Sequence, residues 1–205
     1  MQHWNGRQLC AIDTETTGLD PFWHEIVQIC ILPLDANSLP RKDIPPFYIN
    51  LIPENPERLE KEAFKKNKLK IDDLVNKGFD RIAAIDMLGD WITKLGLPVT
   101  AYGTPKTIIP LGHNYSFDRV FMIKWLGNDL YDTYFHYHFR DTMIAANYIN
   151  DAAATHAEDV PFSKVGLQWL CNKLDVQSEK AHDALSDCLS TANVYRSLLK
   201  KGLIC

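Results

Sequence analysis

The apolar run Leu9-Cys10-Ala11-Ile12 stops abruptly at Asp13-Thr14-Glu15, and this junction constrains the fold more than any other feature of the chain. An uninterrupted apolar run of this length predicts a central strand, buried on both faces. Side chains two apart on a strand share a face, so Asp13 and Glu15 project together while Thr14 points away. Thr16-Thr17-Gly18 then makes a turn, with Gly18 permitting a tight bend and exposed backbone N–H groups. Alone the pair is weak, because 26 acidic residues in 205 give about three acid-x-acid pairs by chance. Its weight depends on what the rest of the chain brings to it.

Two further strands follow, Ile26 to Leu32 and Phe47 to Ile52, with Pro33, Pro40, Pro45 and Pro46 punctuating the connection. Short links between three strands predict an antiparallel meander. Pro56 to Lys68 predicts a charged surface helix, and Ile71 to Gly78 a short one ending at a glycine. Arg81 to Leu95 carries an apolar stripe at Ile82, Ile85, Leu88, Trp91, Ile92 and Leu95, closed by Gly96. Ile108 to Gly112 is a strand feeding His113-Asn114, and Ser116 is placed to cap a helix running to Leu126. The aromatic stretch Tyr134 to Phe139 predicts another strand, after which Asp141 caps a helix through Tyr148. Asn150 to Val160 reads as a loop, followed by helices near Ser163 to Lys173 and Asp183 to Lys200. The whole is an α/β chain with a mixed sheet packed by helices and no internal repeat. At 205 residues it is read as one domain, 1–205.

Two more acidic positions stand in telling contexts. Asp118 in Gly112-His113-Asn114-Tyr115-Ser116-Phe117-Asp118 falls in a first helical turn, where the helix dipole favours a negative charge by about 0.3–1 kcal/mol. That is equally what an acid with only a helix role would do. Asp187 in His182-Asp183-Ala184-Leu185-Ser186-Asp187 sits inside the last helix, with His182 on the lead-in and Asp183 as a cap. An imidazole there can swing over the acid and accept a proton from a metal-bound water near neutral pH. A surface histidine beside a capping aspartate is the plainer reading of that pair alone. Clustered carboxylates repel unless cations sit between them. Enzymes that cut phosphodiesters commonly use two divalent ions about 3.5–4 Å apart.

Taken together, D-x-E-T-T-G, then H-N-x-x-F-D, then H-D-A-x-x-D resembles the three-motif signature of the DEDDh 3′–5′ exonucleases, the DnaQ-like or RNase T-like superfamily. The resemblance runs from residue 9 to about residue 195. It implies a ribonuclease H-like fold, a five-stranded mixed sheet whose antiparallel meander is followed by parallel additions, flanked by helices. It implies that Asp13, Glu15, Asp118 and Asp187 bind two Mg²⁺ ions, with Mn²⁺ able to substitute, and that His182 is the general base. One ion would activate water and the other would stabilise the leaving 3′-oxygen, releasing a nucleoside 5′-monophosphate. Thr16, Thr17 and Gly18 would meet the terminal 3′-OH, Leu19 and Phe117 would flank the base, and Asn114 would hold the loop or the substrate. Asp141 matches an acid that the family places at a helix start, as a structural cap.

The expected substrate is the 3′ end of single-stranded nucleic acid, DNA being favoured, with an exoribonuclease acting on RNA ends or oligoribonucleotides as the alternative. A net charge of −4 weighs against a tight duplex binder but not against this chemistry, since bound metal cancels part of the acidity. A non-catalytic partner-binding module would show a lost metal ligand, and none is missing. A hydrolase of small nucleotides is a further competitor. A homodimer and a polymerase partner both stay open. Five cysteines without C-x-x-C spacing argue against zinc or a disulfide framework and point to a reducing cytoplasm. No signal-like or membrane-spanning run is seen. Two side features are read as structural: Phe22, Trp23 and His24 as packing at the sheet edge, with stacking on a base as the alternative, and the basic run Lys65 to Lys70 as a solvated helix face, with contact to the phosphates of an incoming strand as the alternative.

Overall fold

The apolar run at Leu9 lies in the middle of a five-stranded sheet. The computed structural model describes residues 6–177 and 182–202. Its strands are β1 (Leu9–Thr16), β2 (Ile26–Pro33), β3 (Phe47–Asn50), β4 (Ile109–Gly112) and β5 (Arg140–Asp141), in the order β3-β2-β1-β4-β5. The β3-β2-β1 half is antiparallel, and β4 and β5 are added parallel to β1. This is the predicted mixed sheet, meander first.

Alternation along β1 divides the core in two. Cys10 and Ile12 face α3 (Arg81–Lys94) and α4 (Tyr115–Leu126), in a cluster that includes Leu88, Trp91, Phe121 and Met122. Leu9 and Ala11 face α8 (Ala184–Gly202), packing with Ala184, Cys188 and Ala192. A second helical layer, α6 (Thr142–Thr155) and α7 (Leu167–Lys173), packs on the outer side of α8 through Ala146, Phe162, Leu170 and Val194. Three shorter helices are α1 (Lys61–Asn67), α2 (Ile71–Lys77) and α5 (Asn128–Tyr134).

Several expectations are corrected. Ser116 is not the cap of α4: Asn114 holds that place in a left-handed conformation with φ 62°, and Ser116 lies inside the helix. Tyr134 to Phe139 is not a strand. Its start is the last turn of α5, because Tyr131 and Phe135, four residues apart, are both fully buried, and only Arg140–Asp141 pairs as β5. The stretch 150–160 is half helix, since α6 continues to Thr155 through three alanines, the best helix formers. Pro56 to Lys68 splits into a 3₁₀ turn at Pro56–Arg58 and α1. The strand at Phe47 ends at Asn50, and α7 begins at Leu167 rather than near Ser163. Ile82 points to solvent, 74% exposed, so the α3 stripe is narrower than its periodicity suggested. Cys10, Cys30, Cys171 and Cys188 are buried free thiols, and Cys205 lies outside the described residues. Among the described residues no helix is long and apolar enough to cross a membrane.

Two polar devices set the helices that matter. Asp141 Oδ1 accepts from Asn114, Met143 and Ile144 N–H groups at 3.1, 2.8 and 3.3 Å, and its Oδ2 accepts from Tyr115 N–H at 2.7 Å. One buried carboxylate thus caps α6 and anchors the start of α4. At the opposite edge, the buried Gln28 of β2 accepts from Ala184 N–H at 2.9 Å and donates to Tyr48 Oη and Asn50 Oδ1. Tyr48 Oη in turn donates to Asp183 at 3.0 Å, so the β2–β3 edge fixes where α8 begins. Asp141→Ala strands four backbone donors and is expected to cost about 2–4 kcal/mol of stability, with Asp141→Asn costing less. Denaturant unfolding checks this; a loss below 0.5 kcal/mol in the alanine variant would contradict the anchoring role.

Candidate active site

Three elements converge at one end of the sheet: the C-terminal end of β1, the first turn of α4 and the first turn of α8. Asp13 and Glu15 continue the odd-numbered face of β1, the face covered by α8. Thr14 turns to the other face, as alternation requires, and meets Asp118 there. Its backbone N–H and its hydroxyl donate to Asp118 Oδ1 at 2.9 and 2.7 Å. Asp118 is 5% exposed, held rigidly against the strand that carries the first two acids. β4 ends at Gly112, against which Tyr115 packs so closely that a Cβ there would meet its side chain at 2.7 Å, and the chain turns through left-handed Asn114 into α4.

Asp187 stands in the first turn of α8, and its Oδ2 accepts from His182 N–H at 3.1 Å. His182 is exposed on the lead-in with φ 65°. A carboxylate oxygen of Glu15, one of Asp187 and a ring nitrogen of His182 lie within 4.8 Å of one another. All five residues line one cleft of about 500 Å³. Thr16, Gly18, Leu19, Asn114 and Phe117 line it too.

Thr17 is the exception among the expected site residues. It is 1% exposed, its N–H and hydroxyl are both bonded to Glu25, and its carbonyl accepts from Glu60 N–H. It braces the loop and does not face the cleft. Gly18 serves close approach: a Cβ there would meet the His24 ring at 2.5 Å. Thr16 Oγ1 donates to Gly18 O at 2.6 Å, closing the turn.

Other cleft residues were not foreseen. Glu60, Glu62, Lys66 and Asn67 form a wall at and beside α1, and His113 and Met143 complete the rim. Lys66 comes from the basic run that read as a solvated face, and nothing in its local pattern distinguished it from its neighbours. His113 lies within the second motif; its Nδ1 is 2.8 Å from Thr142 Oγ1, and burial lowers its pKa. The aromatic trio also divides. His24 is buried and its Nε2 lies 3.2 Å from Glu60, whereas Phe22 and Trp23 are 90% and 53% exposed.

The electrostatics are those of acids forced together. Burial first, and then the charges of Asp118, Glu15 and Asp187, push Asp13 well above the ordinary carboxylate range. Burial, and then the charges of Asp187, Asp118 and Asp183, raise Glu15 to about 8, with Lys66 opposing. Asp118 rises to about 7 by burial, eased by the two Thr14 bonds. Burial raises Asp187 as well, eased by the His182 N–H bond and charge. In all four, burial in the cleft is the leading cause, and neighbouring carboxylates add to it. Four hard oxygen donors in this state are chemically suited to divalent cations such as Mg²⁺ or Mn²⁺.

The comparisons agree with this geometry. The exonuclease model of the RNase T family matches residues 10–195. Among solved structures, exonuclease I from Methylocaldum szegediense superposes with a TM-score of 0.71 at 19% identity, covering 95% of this chain and 41% of its own. Cell-death related nuclease 4 gives 0.72 at 16%, covering 98% and 67%. The nuclease domain of 3′hExo, described as a DEDDh family member and bound to rAMP, gives 0.67 at 19%, covering 98% and 96%. This chain therefore spans about two fifths of the exonuclease I structures and nearly the whole 3′hExo nuclease domain. No curated protein sequence matches it significantly. With the family pattern running from Cys10 to Tyr195 and the sheet shared with these nucleases, the chain belongs to the RNase T family of exonucleases and carries the fold of its DEDDh members.

Proposed function

We propose that this protein is a two-metal-ion 3′–5′ exonuclease that removes nucleoside 5′-monophosphates from single-stranded nucleic acid, DNA being favoured. The observation that carries this reading is the meeting of Asp13, Glu15, Asp118, Asp187 and His182 on one cleft. Asp13, Glu15, Asp118 and Asp187 would hold the cations, Asp118 with its orientation set by Thr14. When bound, the cations supply Lewis-acid activation of water and neutralise charge on the scissile phosphate. His182, whose ring nitrogen neighbours Glu15 and Asp187, accepts the proton of the attacking water at the cleft mouth. Leu19, 73% exposed, and half-buried Phe117 stand on the cleft wall where a terminal base packs. Thr16, Gly18 and Asn114 border the place of its 3′-hydroxyl.

One fold relative is described in 3′-end recognition of histone mRNA, which supports the exoribonuclease alternative, and others in complexes with oligodeoxynucleotides, which support DNA. Labelled DNA and RNA strands of one sequence decide polarity and sugar together. Degradation is expected to need a free 3′-OH and to stop at a 3′-phosphate, with DNA cut faster than RNA; digestion from the 5′ end would refute the assignment.

His182→Ala is expected to slow turnover by about 10²–10⁴-fold while leaving the affinity for Mn²⁺ largely intact. A loss below tenfold removes His182 as the base.

The raised acids also make a stability prediction. Between the unfolded carboxylate values near 4 and the folded values of about 7 and 8 for Asp118 and Glu15, the metal-free folded state holds more protons than the unfolded one. Its stability therefore falls as pH rises through that window. In EDTA, Tm is expected to drop between pH 5 and pH 8. Added Mg²⁺ or Mn²⁺ raises Tm more at pH 8 than at pH 5. Asp13→Asn, which removes a carboxyl that burial and three neighbouring acids disfavour in its charged form, raises Tm in EDTA at pH 8 and abolishes activity. A Tm independent of pH in EDTA, or an active Asp13→Asn variant, would contradict this picture of the site.

A further inference from the structure

A second cavity, sharing no lining residue with the acidic cleft, has the opposite electrostatic character. It measures about 230 Å³ and lies between the start of β2, the segment after β3, and the far end of α4. Ile26, Leu51, Ile52 and Phe121 supply apolar wall. Three cationic side chains meet there: Arg58, Arg81 and Lys124. Two acids share the wall. Glu25 has both oxygens occupied, one by the N–H groups of Glu54 and Asn55 and the other by the Asn55 amide; Glu54 is exposed to solvent.

Two residues that line this cavity, Trp125 and Arg58, carry buried hydrogen-bond donors without an acceptor among the described residues. Trp125, which lines it, is 7% exposed, and its indole N–H has no hydrogen-bond partner among the described residues. Arg58 Nε is buried and without a hydrogen-bond partner among the described residues, with a Glu57 carboxylate oxygen 3.8 Å away. Buried donors without acceptors are costly and rare in folded proteins, and a missing acceptor is the ordinary explanation. Cations plus orphan donors around a partly apolar hollow call for an anion carried on an apolar body.

Position identifies the anion. Lys124 follows Asp118 by six residues on α4, about 9 Å along the axis, or about three stacked nucleotides at 3.4 Å each. The ring of Phe117, on the cleft wall, packs on Phe121 of the cavity at 4.9 Å. The surface between carries exposed Leu19, Phe22 and Trp23, and the guanidinium of Arg58 lies 4.3 Å over the Trp23 ring. Aromatic surface followed by cations is how single strands are held without sequence preference. We propose that this cavity is an upstream subsite: a single strand with its 3′ end in the cleft crosses the Leu19–Trp23 loop and places a backbone phosphate among Arg58, Arg81, Lys124 and the Trp125 N–H. This rests on the proposed function but is read out separately from it.

The test is equilibrium binding of a 5′-fluorescein twelve-nucleotide oligothymidylate in EDTA, so that cleavage is not required. Arg58→Gln/Lys124→Gln is expected to raise Kd about 10-fold and to make the salt slope shallower by about 0.7, one phosphate contact on a single strand. Lys124 Nζ also donates to His24 O, so a second variant guards against a shifted loop. Trp125→Phe keeps the ring, removes the N–H and is expected to raise Kd about 5-fold. Turnover of a dinucleotide, too short to reach the cavity, stays unchanged in both. Unchanged affinity for the twelve-mer, or an equal loss on the dinucleotide, overturns the subsite. So does binding of inorganic phosphate that these variants abolish while the twelve-mer is indifferent, which would assign the cavity to free phosphate. An unsubstituted protein that binds the twelve-mer but never cuts it would defeat the exonuclease reading and leave the subsite standing.

Discussion

The confinement of four carboxylates from β1, α4 and α8 in one cleft is the condition that the surrounding scaffold has to meet. Asp13, Glu15, Asp118 and Asp187 all have raised pKa values, each with burial as the leading cause and other acids among the neighbours of Asp13 and Glu15. Left alone, such a cluster either protonates or pulls apart. The fold prevents separation and so leaves the charge to be met from outside. Family membership and the shared sheet are consistent with a cation-filled centre.

Holding the acids in place is the task of neutral and capping groups, each anchored to backbone. Thr14 fixes Asp118 with two bonds from the strand that bears Asp13 and Glu15, so three of the four acids move as one unit. Asp141 ties the start of α4 to the start of α6, and Gln28 ties α8 to β2. None of these three side chains needs to touch a substrate. Their bonds are directional and short, which is what sub-ångström placement of reacting groups requires.

Much of this was legible in the sequence. A strand ending in Asp-x-Glu, alternation sending Thr14 the other way, and the spacing from His182 to Asp187 are local patterns with a fixed geometry. The antiparallel meander is legible in the short links between the first three strands, and the parallel additions in the family resemblance. What was not legible depends on tertiary context. Tyr134 to Phe139 has strand composition, but burial of Tyr131 and Phe135 draws its start into a helix. Thr17 belongs to the motif by position, yet Glu25 claims its polar groups. Lys66 enters the cleft only because α1 lies across it, and Arg58, Arg81 and Lys124 meet from three separate segments. The orphan N–H of Trp125 has no sequence signal at all.

Tyr48 shows how far the scaffold of such a centre extends. It is 39% exposed on an edge strand, and by accessibility alone it ranks with the surface. Its hydroxyl nevertheless closes the chain from Gln28 to Asp183 that sets the origin of α8. Drift to phenylalanine at this rim position would look innocuous to any tally of hydrophobic contacts. It would nonetheless slacken the frame from which an acid of the cleft is hung, so tolerance at this position is dictated by the reach of one phenolic oxygen.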